Sequence, residues 1–190
     1  MKLALFRAGR AAILLVAVAG CYRGSARTVS LAEIDRQPGW LMVRGVRVIR
    51  QESAHDCGSA ALAMVLDHWG VADAAAQIRL AMPSAREQGS TAGALRQFAR
   101  DKGLRAFLIT GGHADLVREL RANRPVLVGL VQRYTSDKVL SHYEVVIGIN
   151  ETTSHVLLLD PGRGPREDGL ASFDREWRDA GRLTLVVAPA

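Results

Sequence analysis

The stretch that decides the fold, residues 51–70, reads QESAHDCGSAALAMVLDHWG. From Cys57 to Trp69 it is apolar on nearly all sides, which predicts a helix inside the domain rather than on its surface. Asp56 is suited to the N-cap position of this helix and Gly70 to its end. Cys57 therefore falls in the first turn, where unpaired N–H groups and the helix dipole favour a thiolate. We interpret Cys57 as a candidate nucleophile.

Outward from this helix, the hydrophobic pattern changes from helical to strand-like along the chain. An initial strand or hairpin is predicted over residues 41–49. Helices are predicted over residues 71–81, 92–101, 114–122 and 173–179, and strands over residues 104–110, 125–132, 139–149, 156–159 and 183–187. Helices first and strands later predict an α+β fold with an antiparallel sheet.

Two polar side chains in the strand-rich half can approach each other. His142 opens a strand that the polar turn 150–154 joins to the next strand as a hairpin. That pairing places residue 162 opposite His142, so Asp160 becomes its diagonal neighbour on the same face, within about 7–8 Å. An aspartate in that position can orient an imidazole and stabilise its charged form. Cys57, His142 and Asp160 are thus predicted to form one site.

The composition indicates one globular domain and excludes several classes of protein. Of 190 residues, 48% are hydrophobic and 23% are charged, which is not typical of a disordered chain, a collagen-like repeat or a coiled coil. With 5% aromatic residues, stacking platforms for single-stranded nucleic acid are not expected.

The N-terminus has the pattern of an export signal. Lys2, Arg7 and Arg10 precede the apolar run 11–19, which is too short to span a bilayer. Residues 1–20 are therefore predicted to be a signal peptide. Its removal leaves 22 basic and 19 acidic residues, a net charge of +3, which does not indicate a nucleic-acid partner.

The signal peptide ends in Val18-Ala-Gly-Cys21, which resembles a bacterial lipobox, in which the cysteine is acylated. The alternatives are plain secretion and a short retained membrane anchor. We expect a lipidated Cys21, a tether over residues 21–39 and a domain over residues 40–190. Cys57 is then a lone thiol in an oxidising compartment, where it is either buried or used.

Other polar clusters carry weaker signals. His55 with Asp56 and Cys57 lacks the ligand pairs of a zinc site, so neither a metal nor a cofactor is predicted. A lone cysteine at a helix start is more often a small core residue, and only its combination with the other site residues favours a nucleophile. Five arginines near the C-terminus are interpreted as solvated surface: Arg163, Arg166, Arg175, Arg178 and Arg182.

These motifs together resemble the bacteriocin-processing, double-glycine-leader cysteine peptidases, a papain-like group that forms family thirty-nine of the cysteine peptidases. The resemblance covers roughly residues 46–188 and rests on Gln51 to Gly58, Ala60 to Met64, Ser141-His142-Tyr143, Asp160-Pro161, Gly89-Ser-Thr91, Gly103-Leu104, Arg124-Pro125 and the C-terminal Phe173 and Trp177. It implies a papain-like cysteine peptidase fold that acts on a peptide or protein substrate.

The resemblance also implies a role for each site residue. Cys57 would be the nucleophile, His142 the general base and acid, and Asp160 the residue that orients the imidazole. Gln51 would share the oxyanion hole with the Cys57 N–H, where one donor typically contributes about 2.7–4 kcal/mol in the transition state.

The sequence departs from this family at two points. Many members are the N-terminal domains of peptide exporters, whereas this chain is expected to be a stand-alone, exported member in the cell envelope. Glu144 stands where the family usually has an apolar residue. Its carboxylate either raises the basicity of His142 or faces solvent.

The sequence therefore predicts an envelope cysteine endopeptidase that processes a double-glycine-type leader or a secreted peptide. One rival is a non-catalytic peptide-binding module of a secretion or assembly system, and another is an amidase or acyltransferase with the same triad. Because Tyr22 is not an aspartate, we expect the lipid to lie on the periplasmic face of the outer membrane, with a secretion system as a candidate partner.

Overall fold

A computed structural model of the protein describes residues 24–82, 89–134 and 139–190. The predicted signal peptide and Cys21 lie outside the described residues. The helices in these ranges are α1 (Leu31–Ile34), α2 (Cys57–His68), α3 (Ala74–Ala81), α4 (Ala92–Asp101), α5 (His113–Arg121) and α6 (Leu170–Asp179). The strands are β1 (Arg27–Thr28), β2 (Trp40–Met42), β3 (Arg105–Thr110), β4 (Val126–Arg133), β5 (Val139–Asn150), β6 (His155–Asp160), β7 (Gly164–Gly169) and β8 (Leu183–Ala188). The predicted α+β class is confirmed.

The eight described strands form one antiparallel sheet. The strand order is β1-β7-β6-β5-β4-β8-β3, and β2 pairs with the C-terminal end of β5. Strands that follow one another in the chain, β4 to β7, are also neighbours in the sheet. The end of β6 therefore lies beside the start of β5, where the polar residues of the site meet.

Helix α2 is the centre of the hydrophobic core, as its sequence predicts. Every residue from Cys57 to Leu66 is buried, and the helix packs against β4, β5, α3 and α4. Leu62, Met64 and Leu66 are fully enclosed. Burial on all sides fixes the direction of α2, so its N-terminal turn is held rigidly against the sheet.

The hairpin of β5 and β6 contains a β-bulge that determines which face Asp160 occupies. The turn pairs Asn150 with His155, and the register shifts between Val146 and Gly148, so that Val145 pairs with Leu159. Without this shift the register of the turn would place Asp160 opposite Val145, on the other face of the sheet from His142. The bulge restores the predicted pairing, in which Asp160 lies on the His142 face.

Strand β7 and part of the N-terminal segment differ from the sequence interpretation. Residues 164–169, GPREDG, form a strand although their glycines, proline and charges are typical of a turn. Residues 27–34, assigned to the tether, pack on the domain: β1 pairs with β7, and Ile34 is 1% exposed. Burial of Ile34 gives this segment an apolar contact that a free tether would lack.

No helix in the described part of the chain is long and apolar enough to cross a membrane.

Candidate active site

The thiol of Cys57 lies at the N-terminus of α2. Asp56 is the N-cap residue, and its carbonyl accepts a hydrogen bond from the Ala60 N–H at 3.0 Å. The Asp56 side chain does not cap the helix but accepts from the Glu52 N–H at 3.4 Å. No carboxylate caps the first turn of α2, so the partial positive charge of its unpaired N–H groups is not neutralised there. This charge favours the thiolate form of Cys57.

His142 and Asp160 are in direct contact. The Nε2 of His142 lies 3.0 Å from Oδ1 of Asp160, and both residues are buried. The same Oδ1 accepts hydrogen bonds from the backbone N–H groups of Gly162 at 2.7 Å and Arg163 at 3.2 Å. These bonds fix the carboxylate, which in turn fixes the plane of the ring.

Cys57 also makes a side-chain hydrogen bond to the His142 ring. Because Nε2 faces Asp160, the other nitrogen, Nδ1, is left for the sulfur. The structure thus brings together Cys57, His142 and Asp160, the three residues that the sequence predicts to converge.

The electrostatic environment favours a protonated His142. Burial lowers the pKa of His142, but the hydrogen bonds to Asp160 and Cys57 and the charges of Glu144 and Asp160 raise it more, to about 10. For Asp160, burial raises the pKa, but the hydrogen bond and charge of His142 and the hydrogen bond from the Gly162 N–H lower it by more. The net shift of the Asp160 pKa is therefore downward. Both directions favour an imidazolium–carboxylate pair at neutral pH.

Gln51 lies next to the Asp160 loop. Its backbone N–H donates to the Pro161 carbonyl at 3.1 Å, and its side-chain Nε2 donates to the Ser53 carbonyl at 2.8 Å. One side-chain N–H remains for another acceptor, since a primary amide carries two. Gln51 lines a cavity of about 170 Å³ together with His142 and Asp160.

A second cavity, of about 390 Å³, opens beside Cys57. Its walls come from three parts of the chain: the loop before α2 with the start of that helix, the loop before α4, and the start of β5. The lining residues are Ala54, His55, Cys57, Gly89, Ser90, Thr91, Leu140, Ser141 and Tyr143. Ala54 and Leu140 line both cavities, so the two form adjoining hollows on either side of the Cys57–His142 pair.

Sequence reasoning missed the buried charge behind His142. Arg166, interpreted as a surface residue, is 2% exposed, because β7 directs it inward. Its Nε lies 3.0 Å from Oε2 of Glu144, and its Nη2 lies 3.7 Å from Asp168 and 3.6 Å from Glu176. A period-2 pattern of Arg166 and Asp168 was the signal that could have placed them on one face of a strand.

Glu144 is fully buried and does not face solvent. Its Oε1 accepts a hydrogen bond from Nε2 of Gln132 at 2.7 Å and lies 3.9 Å from Nε2 of His142. Burial raises the pKa of Glu144, and Arg166 opposes this, with a net result of about 7.

His142, Glu144 and Asp160 could present three ligand atoms within 4.8 Å of one another. Oε1 of Glu144 accepts a hydrogen bond from Gln132, and Nε2 of His142 bonds to Oδ1 of Asp160.

Comparison with known sequences and structures identifies the family. The profile of the Peptidase C39 family matches residues 45–190, most of the chain. The chain belongs to the Peptidase C39 family. No curated protein sequence matches it.

Solved structures of C39 peptidases support this assignment. The peptidase domain of Streptococcus ComA, a bifunctional ABC transporter of a quorum-sensing pathway, is 26% identical with a TM-score of 0.62, and the match covers 77% of this chain and 100% of that domain. A double-glycine-motif protease from an AMS/PCAT transporter, solved with its leader peptide, is 25% identical with a TM-score of 0.61, over 78% and 94% of the two chains. The predicted membership and the papain-like fold are confirmed, and the protein is a cysteine peptidase.

Proposed function

We propose that Cys57, His142 and Asp160 form the catalytic triad of this C39 peptidase. The observation that supports it best is the position of the His142 ring, which is bonded to Asp160 at 3.0 Å through Nε2 and also interacts with the Cys57 side chain. Cys57 lies at a helix N-terminus and beside a cavity large enough for a peptide segment.

In the proposed reaction, the Cys57 thiolate attacks the carbonyl carbon of the scissile bond. The developing oxyanion accepts hydrogen bonds from the Cys57 N–H and the second side-chain N–H of Gln51. Imidazolium His142 then gives its proton to the leaving amine, and a thioester forms. Water attacks the thioester while His142 takes its proton, which releases the acid and restores the thiolate.

Peptide leaders of the double-glycine type are the substrates we infer. The AMS/PCAT protease was solved with a leader peptide, and in this chain Gly58, next to Cys57, packs closely against two residues that line the cavity, Tyr143 and Ser90. A Cβ added to Gly58 would lie 3.0 Å from the Tyr143 ring and 3.2 Å from Ser90.

The test uses two synthetic leader peptides that differ only in Gly-Gly or Val-Val before the cleavage site, with products identified by mass spectrometry. The wild type should cleave the Gly-Gly peptide at one bond, and Cys57→Ala should lose at least about 10³-fold of the rate with an unchanged urea midpoint. His142→Ala should lose activity to a similar degree.

His113→Ala is the matched control, because His113 is an exposed histidine on α5 that pairs with Glu151. It should cleave at the wild-type rate. Cleavage retained by Cys57→Ala would overturn the triad, and transfer of the acyl group to an added amine in place of water would indicate an acyltransferase.

We also propose that Cys21 carries a lipid that holds the peptidase on the envelope membrane. Only the stretch from Cys21 to Gly24 separates the predicted lipid from the described chain. A stretch of this length spans at most about 11 Å. The chain is then fixed: the Ser25 side chain bonds to Asp168, and its N–H donates to Ser172 at 3.2 Å. A lipid on Cys21 would therefore keep the domain close to the bilayer surface.

Membrane fractionation tests this anchor. The wild type should be found in the membrane fraction and Cys21→Ser in the soluble fraction. Membrane association that persists in Cys21→Ser would overturn lipidation at this residue.

A further inference from the structure

Behind His142, on the side away from Cys57, lies a second carboxylate that the proposed reaction does not use. Glu144 has no exposed surface, and its Oε1 lies 3.9 Å from the same ring nitrogen that bonds to Asp160. A buried carboxylate is costly unless its neighbours compensate it. The groups around Glu144 must therefore stabilise its charge.

Two side chains fix the direction in which this carboxylate points. The Gln132 amide on β4 donates to Oε1 at 2.7 Å, and the Arg166 guanidinium on β7 lies 3.0 Å from Oε2. Gln132 is itself held, since its Oε1 accepts from the Tyr134 hydroxyl at 3.3 Å. Gln132 therefore holds one oxygen of the Glu144 carboxylate and Arg166 the other. The oxygen held by Gln132, Oε1, is the one near His142.

We propose that Glu144, held between Gln132 and Arg166, is a positioning residue that keeps His142 in the imidazolium form required to pair with the Cys57 thiolate. It acts through His142 and does not touch the substrate cavity beside Cys57. The inference rests on the proposed triad and adds a fourth group to it.

All charged groups around Glu144 enter the argument, and they come from five elements. They are Cys57 on α2, His142 on β5, Asp160 on β6 with Arg163 close to it, Arg166 and Asp168 on β7, and Glu176 on α6. Counting Glu144 itself, the group holds four carboxylates and two guanidinium groups, so the charges around the ring favour a negative potential. A negative field favours the protonated ring over the neutral one.

The order in which Glu144 and His142 titrate as the pH rises agrees with this role. The pKa of Glu144 is about 7 and that of His142 about 10, so Glu144 carries its charge before the ring loses its proton. Neutralising Glu144 should therefore lower the pH at which the ring deprotonates.

The experiment follows the ring of His142 by NMR in the full-length chain, labelled with ¹⁵N-histidine in detergent and assigned by the signal missing from His142→Ala. In Glu144→Gln, the midpoint of the ring titration should fall by about 1–3 pH units, the effect of one close charge. The rate of Cys57 alkylation at pH 8, where Glu144 is charged in the wild type, should fall in parallel.

Glu119→Gln is the matched control, since Glu119 is a buried glutamate on α5 paired with Arg124 at 2.9 Å, outside the site. It should leave the His142 midpoint unchanged. If Glu144→Gln does not fold, the double variant E144L/R166M replaces the ion pair with apolar side chains of similar size, and the same fall in midpoint is expected.

The outcomes separate the two proposals. A wild-type midpoint near 10 that Glu144→Gln does not move overturns the role of Glu144 and leaves the triad standing. A wild-type midpoint near the ordinary 6.5, with Cys57 alkylation that His142→Ala does not change, overturns the triad and the role of Glu144 together.

Discussion

The buried carboxylate of Glu144 should make the protein less stable as the pH rises from acid to neutral. Its pKa is about 4.5 in the unfolded chain and about 7 in the folded one, because burial disfavours the charged form. Between these values the folded state binds more protons than the unfolded state, so the free energy of unfolding falls with rising pH. Stability from this group is fully present below pH 4.5 and lost through pH 7.

The size of the effect follows from the two pKa values. At 1.36 kcal/mol for each pH unit between them, the wild type should lose about 3 kcal/mol of unfolding free energy through ionisation of Glu144. Most of this loss falls below pH 6.5, before His142 contributes, since its stabilising protonation is lost only from pH 6.5 up to about 10.

Glu144→Gln removes the ionisation and keeps the shape of the side chain. Urea unfolding of the wild type and the variant, measured from pH 4.5 to pH 7.5, should give a difference that grows by about 3 kcal/mol in favour of the variant. Glu119→Gln, measured alongside, shows what neutralising a different buried glutamate does. A difference that stays flat or grows in favour of the wild type would refute the reasoning, since Arg166 would then fully offset the burial of Glu144.

Three further substitutions test other parts of the structure. Asp160→Asn should lower the rate of peptide cleavage by between about 10² and 10⁴ fold, because the neutral amide no longer stabilises the imidazolium; a rate within twofold of wild type would contradict this. Gly58→Ala should lower kcat/KM at least about tenfold in a chain with a native circular dichroism spectrum, because the new Cβ displaces Tyr143, 3.0 Å away; unchanged kinetics would show that Tyr143 can give way. Ile34→Ala should lower the free energy of unfolding by about 2–5 kcal/mol in urea, and a loss below about 0.5 kcal/mol would mean that α1 does not pack on the domain.

The central helix and the main strands could be predicted because their sequence has one interpretation at every level. Cys57 to Leu66 is apolar apart from Ser59, and the structure buries all of it in one helix. The predicted helix over residues 92–101 matches α4, where the Thr91 hydroxyl caps the Ala94 N–H at 3.2 Å. Local propensity, capping and burial point the same way in both segments.

The buried charge network could not be predicted from local sequence. Residues 164–169 have little strand propensity, and their burial comes from pairing with β6 on one side and β1 on the other. Arg166 is buried because it pairs with Glu144 on β5 and Glu176 on α6, and no local pattern reveals these contacts. The strand register that brings His142 next to Asp160 was predicted, but the bulge at residue 147 that produces this register was not. The turn itself pairs Asn150 with His155, which differs by one residue from the predicted register.

The network behind His142 illustrates how a stable core and a reactive site make opposite demands. Replacing buried ion pairs with apolar residues often leaves a protein equally or more stable, so Glu144 and Arg166 are not retained for stability alone. The same charges surround a ring that must stay protonated next to a thiolate. Glu144→Gln is expected to gain stability at neutral pH and, at the same time, to lose the high titration midpoint of His142. That result would mean that burying this carboxylate lowers the stability of the fold and stabilises the imidazolium.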